Sequence, residues 1–181
     1  VTESFFLAST PVNQMPPFHV VSVGRLAKEK QQAQLIQAVA ASPFKNDIRL
    51  TVAGTGPQQE SLIRLAAALK VEAEIGRVSD ERLKTLYQTA DVFVQTSAVE
   101  LEGMSVLEAM AAGCPVLINK SITSAVPEFV TAPEATYAMN DEEDLRRKLD
   151  AMLADHVLRA AEGRGNRKIA QSRHHDRSVN L

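Results

Sequence analysis

Tryptophan is absent, cysteine occurs once, and aromatic residues make up only 4% of the chain. A core built from this composition must be aliphatic, rich in Ala, Leu and Val. The lone Cys114 excludes an internal disulfide and points to a reducing compartment. No apolar run approaches the roughly 18–20 residues that span a bilayer. The opening VTESFFLAST lacks the basic region of a signal peptide, so a cytoplasmic protein is expected, peripheral to the inner membrane face at most. With 20 basic residues against 22 acidic ones, a net charge of −2, no overall field attracts nucleic acid, and none is expected as a partner. The four histidines, His19, His156, His174 and His175, form no metal-ligand spacing, so no metal is expected. Also missing are the Gly-x-Ser-x-Gly elbow of serine hydrolases and the phosphate loop of P-loop proteins. Gly24 is not followed by a G-x-x-G turn, which argues against a dehydrogenase.

What remains is 181 residues with 45% hydrophobic content, ample for one domain with an unstapled core. Short apolar runs alternate with longer helical ones. Strands are expected at 19–23, 48–53, 71–75, 91–95 and 115–118, with a weaker one at 135–138. Helices are expected at 30–41, 58–69, 80–88, 105–112 and 141–154, with an irregular turn near 124–130. In the first helix Ala33, Ile36, Gln37 and Ala40 recur at helical spacing, and Leu35 and Val39 widen the stripe. Asn140 before three acids reads as an N-cap, Ser79 as another, and Gly113 as a helix stop. Repeated β–α–β units predict an α/β fold: a Rossmann-like parallel sheet of about six strands with helices on both faces.

The two ends differ from the middle. Residues 1–17 carry Pro11, Pro16 and Pro17 without periodicity, as a linker or the remnant of a preceding domain would. A first residue other than Met fits a piece of a longer protein. The central domain is expected at 18–155. Residues 156–181 hold six basic side chains against Glu162 and Asp176, which reads as a solvated basic helix and tail, or as a face docking on another domain or an anionic membrane.

Open parallel sheets bind ligands where strands end and helices begin. After the first strand, Gly24 permits close backbone approach, and Arg25 and Lys30 can reach a diphosphate, the one as a planar fork and the other as a point charge. After the second comes Gly54-Thr55-Gly56-Pro57, and after the third Gly76-Arg77-Val78. Each also reads as an ordinary surface loop. The richest stretch is SAVELEGMSVLEAMAAGCP, residues 97–115. Gly103, Met104 and Ser105 open a helix whose first N–H groups lack internal acceptors and suit a phosphate. Glu100 and Glu102 precede that start, and Glu108 is expected in the first turn. Ser105 and Glu108 also match a capping box, the structural alternative. Acids beside an anion site would repel it unless they accept hydroxyls, and a nucleotide sugar combines a diphosphate with hydroxylated rings.

VGRLAKEK (23–30), VAGTGP (52–57), DVFVQTS (91–97) and Glu100-x7-Glu108 together resemble the C-terminal half of family 4 retaining glycosyltransferases, of GT-B fold. The resemblance covers about residues 18–155 in order and spacing. It implies one half of a two-domain enzyme, in which this half holds the nucleotide sugar and an N-terminal domain outside this sequence holds most of the acceptor. By position it implies Arg25 and Lys30 on the diphosphate, Glu108 on the ribose hydroxyls and Glu100 beside the donor sugar as the catalytic carboxylate. Gly103, Met104 and Ser105 would contact sugar or phosphate, Gly24 and Gly54 would line the donor site, and Arg77 and Val78 would pack on the base. The sequence departs from the family at Gln31, where a glycine is usual, and at Glu102, where an apolar or aromatic residue is more common. ELEGMSVLEAM with NKSITSAVPEFV looks most like bacterial lipid glucosyltransferases acting on diacylglycerol or cholesterol, which implies UDP-glucose or a related UDP-hexose, a lipid or saccharide acceptor at the membrane surface, and no cofactor. A non-catalytic nucleotide-sugar-binding module and a sugar-nucleotide epimerase of GT-B fold are the competing expectations.

Overall fold

The structure is a computed structural model; residues 12–99, 103–121, 130 and 132–179 are described. Six strands form one sheet: β1 (Phe18–Val23), β2 (Ile48–Ala53), β3 (Ala73–Gly76), β4 (Val92–Gln95), β5 (Val116–Asn119) and β6 (Thr136–Tyr137). Their spatial order is β3-β2-β1-β4-β5-β6, and every pairing is parallel. The expected α/β fold is therefore present. Among the described residues six α-helices cover the sheet: α1 (Gln32–Ala41), α2 (Gln59–Ala68), α3 (Asp80–Thr89), α4 (Met104–Ala111), α5 (Glu142–Ala154) and α6 (His156–Val179). α1 packs with α2 and α5, and α4 packs with α3 and α6, one group on each face.

Strands β4 and β5 are buried at every residue, as is the short edge strand β6. Edge strand β3 is not fully buried anywhere. The core is aliphatic as expected, with Phe18, Tyr87, Phe93 and Tyr137 as its rings. Each fully buried Leu, Ile or Phe contributes about 1.5–3 kcal/mol by leaving water.

Helix punctuation departs from the expected pattern in three places. Asp141, not Asn140, caps α5, its carboxylate accepting from the Asp144 N–H at 2.9 Å. Asn140 precedes the cap in the left-handed region (φ 57°). The first helix begins later than expected because Lys28–Lys30 form a 3-10 turn and Gln31 turns left-handed (φ 51°) before α1 starts. A non-glycine residue there costs about 1–2 kcal/mol, in part offset by the Gln31 amide donating to Asn140 Oδ1 at 3.1 Å. Ser105 is the second residue of α4 rather than its cap. Two expectations stand: Ser79 caps α3 by accepting from Arg82 N–H, and Gly113 (φ 79°) ends α4. Gly113 and Cys114 donate backwards to the Met110 and Ala109 carbonyls, which closes the helix end.

The basic stretch is helical over 156–179, and α6 packs along α4 with Asn166 and Ala170 buried on the inner side. Arg159, fully buried, donates to the last carbonyls of α5, Met152 and Leu153, at 2.6 Å each, and to Asn13 O. Its guanidinium also lies 5.2 Å from the centre of the Phe18 ring. The expected turn near 124–130 lies outside the described residues except at Val130.

Candidate functional site

Strand order reverses between β1 and β4, and the carboxyl ends at such a switch point are where open α/β sheets bind ligands. The loop after β1 leaves this point over a ladder of backbone bonds. Gly24 N–H donates to Ala53 O and Leu26 N–H to Thr55 O, both at 3.0 Å, and Gln58 N–H returns to Leu26 O at 2.9 Å. This close approach is why position 54 is glycine: a Cβ there would lie 1.9 Å from the Gly24 carbonyl oxygen. Nothing lies within 4 Å of the place a Cβ would take on Gly24, so its backbone faces open space.

The same loop is tied down from two other sides. Gln32 on α1 donates its amide to Arg25 O at 2.9 Å. Beyond β4, Thr96 Oγ1 donates to Lys30 O at 2.6 Å and Ala98 N–H to Glu29 O at 2.9 Å. Asn119, at the end of β5, donates to Thr96 O at 3.2 Å, and Ser121 Oγ donates to Ala98 O. These bonds use backbone oxygens almost throughout. The Arg25 side chain is left exposed, and that of Lys30 half-buried.

α4 starts in an unusual way. Gly103, its N-cap, is buried and left-handed (φ 62°), with no side chain to cap the helix. The first intrahelical bond runs from Leu107 N–H to Gly103 O, so the N–H groups of Met104, Ser105 and Val106 have no acceptor within the helix. This corrects the capping-box alternative: with Gly103 as the cap, Ser105 and Glu108 both lie inside α4. Glu108, fifth in the helix, therefore sits in the second turn, not the first. It does not reach back to the helix start. Instead it accepts a hydrogen bond from the Tyr87 hydroxyl on α3 at 3.0 Å. Burial raises the pKa of the half-buried Glu108 carboxyl, and the Tyr87 hydrogen bond opposes that rise.

Of the residues singled out from the sequence, the structure brings Gly24, Arg25, Lys30, Gly54, Arg77, Val78, Gly103, Met104 and Ser105 to the carboxyl-end loops of one sheet. Arg77 is exposed, and Val78 is half-buried against the core. Gly76 ties their loop to its neighbour by accepting from Gly54 N–H at 2.8 Å. Glu100 and Glu102 lie outside the described residues. Among the described residues no three His, Cys, Asp or Glu side chains gather as a metal site. Gln32, Tyr87, Thr96 and Asn119 escaped the reading of the sequence. The last two had a signal: polar residues closing otherwise apolar strand runs.

Fold and loops together define a Rossmann-like α/β domain with glycine-rich loops and the exposed Arg25 gathered at the carboxyl ends of its strands. The chain belongs to the family of glycosyl transferases group 1, which matches residues 8–169. It is 35% identical over 126 residues to the GDP-mannose-dependent alpha-(1-6)-phosphatidylinositol dimannoside mannosyltransferase of Mycobacterium tuberculosis, covering 68% of this chain and 32% of that protein. It is 32% identical over 107 residues to the alpha-monoglucosyldiacylglycerol synthase of Acholeplasma laidlawii, covering 56% of this chain and 27% of that protein. The crystal structure of the catalytic domain of cholesterol-alpha-glucosyltransferase from Helicobacter pylori matches with a TM-score of 0.79 at 35% identity, over 86% of this chain and 99% of that one. The chain thus spans about a third or less of the length of these curated relatives. No helix among the described residues is long and apolar enough to cross a membrane.

Proposed function

We propose that this chain is the donor-binding part of a retaining hexosyltransferase, which takes UDP-glucose or a related UDP-hexose and delivers the sugar to a lipid or saccharide acceptor. The acceptor would be held mostly by an N-terminal domain outside this sequence, at the cytoplasmic membrane surface. The observation that carries the reading is the loop after β1, fixed by backbone bonds so that Arg25 is left exposed at the switch point of the sheet.

In this reading Arg25, Lys30 and the α4 N-terminus stabilise the diphosphate as the anomeric bond breaks, a fixed electrostatic role that calls on no metal. Gly24, Gly54 and the turn Gly103-Met104-Ser105 let the donor approach the backbone. Glu108 accepts from ribose hydroxyls, Arg77 and Val78 pack on the base, and Glu100 stands beside the donor sugar as positive charge develops on its ring. The kinship with lipid glycosyltransferases of M. tuberculosis and A. laidlawii supports a lipid acceptor.

A thermal-shift and calorimetric panel of UDP-, GDP- and ADP-sugars tests the reading on the purified chain. A UDP-hexose at 100 times its dissociation constant should add about 2.7 kcal/mol of stability, and the isolated chain should transfer no sugar. A silent panel refutes donor binding, and a preference for GDP-sugars moves the donor to GDP-mannose chemistry. In the longer enzyme, Glu100→Ala should reduce transfer far more than nucleotide binding, whereas Glu108→Ala should weaken nucleotide binding.

A further inference from the structure

Tyr87 is fully buried on α3, with its ring 5.7 Å from Phe93 and tilted 47° to it. A phenol placed that deep needs a partner for its hydroxyl, and Glu108 Oε2 supplies an acceptor at 3.0 Å. The two residues come from different helices and are 21 positions apart in the chain. Burial, then the nearby Glu108 carboxylate, push the Tyr87 pKa upward, so the hydroxyl keeps its proton and remains a donor.

Glu108 lies past the helix start, with three side-chain torsions to settle and no capping role to settle them. The hydrogen bond from Tyr87 holds one carboxylate oxygen and sets the plane of the group. Among the described residues no donor is bonded to Oε1, and the rotamer freedom of Glu108 is lost on folding rather than on ligand binding. From this geometry we infer that Tyr87 is a positioning residue: it presents the Glu108 carboxylate to the ribose diol of the nucleotide and thereby sets the preference for ribose over deoxyribose. The inference rests on the proposed donor-binding role of Glu108. It adds a residue that touches no ligand itself.

The test uses the purified 181-residue chain, with UDP and GDP as probes, each against its 2′,3′-dideoxy counterpart, and with inorganic pyrophosphate as a probe for the phosphate contacts alone. The wild type should prefer the ribose form by about 10-fold or more, the effect of a hydrogen bond to a charged group. Tyr87→Phe keeps the ring against Phe93 and should lower that preference several-fold, toward the value for Glu108→Gln, without changing pyrophosphate affinity. The double variant Tyr87→Phe/Glu108→Gln should lose no more than Glu108→Gln alone, because the two residues act as one unit. If Tyr87→Phe keeps the wild-type preference while Glu108→Gln loses it, the inference is overturned and the donor-binding reading stands. Equal loss for ribose, dideoxyribose and pyrophosphate in Tyr87→Phe would show a merely structural tie and also overturn it. A wild type that binds ribose and dideoxyribose forms alike removes Glu108 from the ribose, and both readings fall.

Discussion

The two ends of this sheet use the same kinds of residue to opposite ends. At the amino ends of the strands, charge is consumed internally. Asp91 accepts from His19 N–H at 2.7 Å, His19 Nε2 pairs with Thr51 Oγ1 at 2.8 Å, and Arg159 is sealed among carbonyls and against Phe18. At the carboxyl ends the protein satisfies its loops with backbone atoms and small polar side chains such as Thr96 and Asn119. The Arg25 guanidinium is exposed there, and among the described residues no carboxylate pairs with it. An arginine is structural at one end and available at the other. What separates them is whether the fold has already supplied acceptors.

Substitutions at three positions can sharpen or break that contrast. Arg159→Ala should have the largest effect, a loss of about 3–5 kcal/mol in urea unfolding. It empties a buried site, orphans the Leu153 carbonyl and removes one of the two donors to Met152 O. Arg159→Lys should recover only part of this, because an ammonium cannot reproduce the forked contacts. A loss under about 1 kcal/mol for Arg159→Ala would put the two arginines on the same footing.

Arg25→Ala should do the reverse. Stability should hold within about 0.5 kcal/mol, as for exposed positions, while affinity for UDP falls about 10-fold by calorimetry, with a weaker dependence on salt. Unchanged affinity would deny the carboxyl-end cation its part in binding.

The smallest effect concerns pH. Burial, then the charge of Arg82, hold the His19 pKa below the usual histidine value. A depressed pKa means that the folded state binds fewer protons, so stability is present above the usual value and is lost as pH falls through the lowered one. Denaturation curves between pH 7 and 5 should show this loss, and His19→Gln should flatten that part of the profile. An identical slope in the variant would mean that His19 is not among the groups the amino end has neutralised.

Legibility followed the range of the interaction. Strand β2 lies where its apolar run predicted, and Ser79 and Gly113 punctuate their helices as read, because each depends on residues within a turn of itself. The capping box failed for a non-local reason. Its spacing was correct, but Gly103 took the cap position in a left-handed geometry, and Glu108 was claimed by a tyrosine from another helix. Gln31 shows the same limit: a left-handed bend at a non-glycine residue is held where its amide meets Asn140, 109 residues away in the chain.

Alternation of short apolar runs with amphipathic ones was enough to determine a parallel α/β sheet, since strand and helix periods are local and each needs its apolar face buried. Loop composition was enough to bring glycines and cations to the strand ends. Only tertiary structure decided which polar groups were already satisfied. A hydrogen bond between residues 66 positions apart, as from Thr96 to Lys30, has no local signature and exists only once the chain has closed on itself.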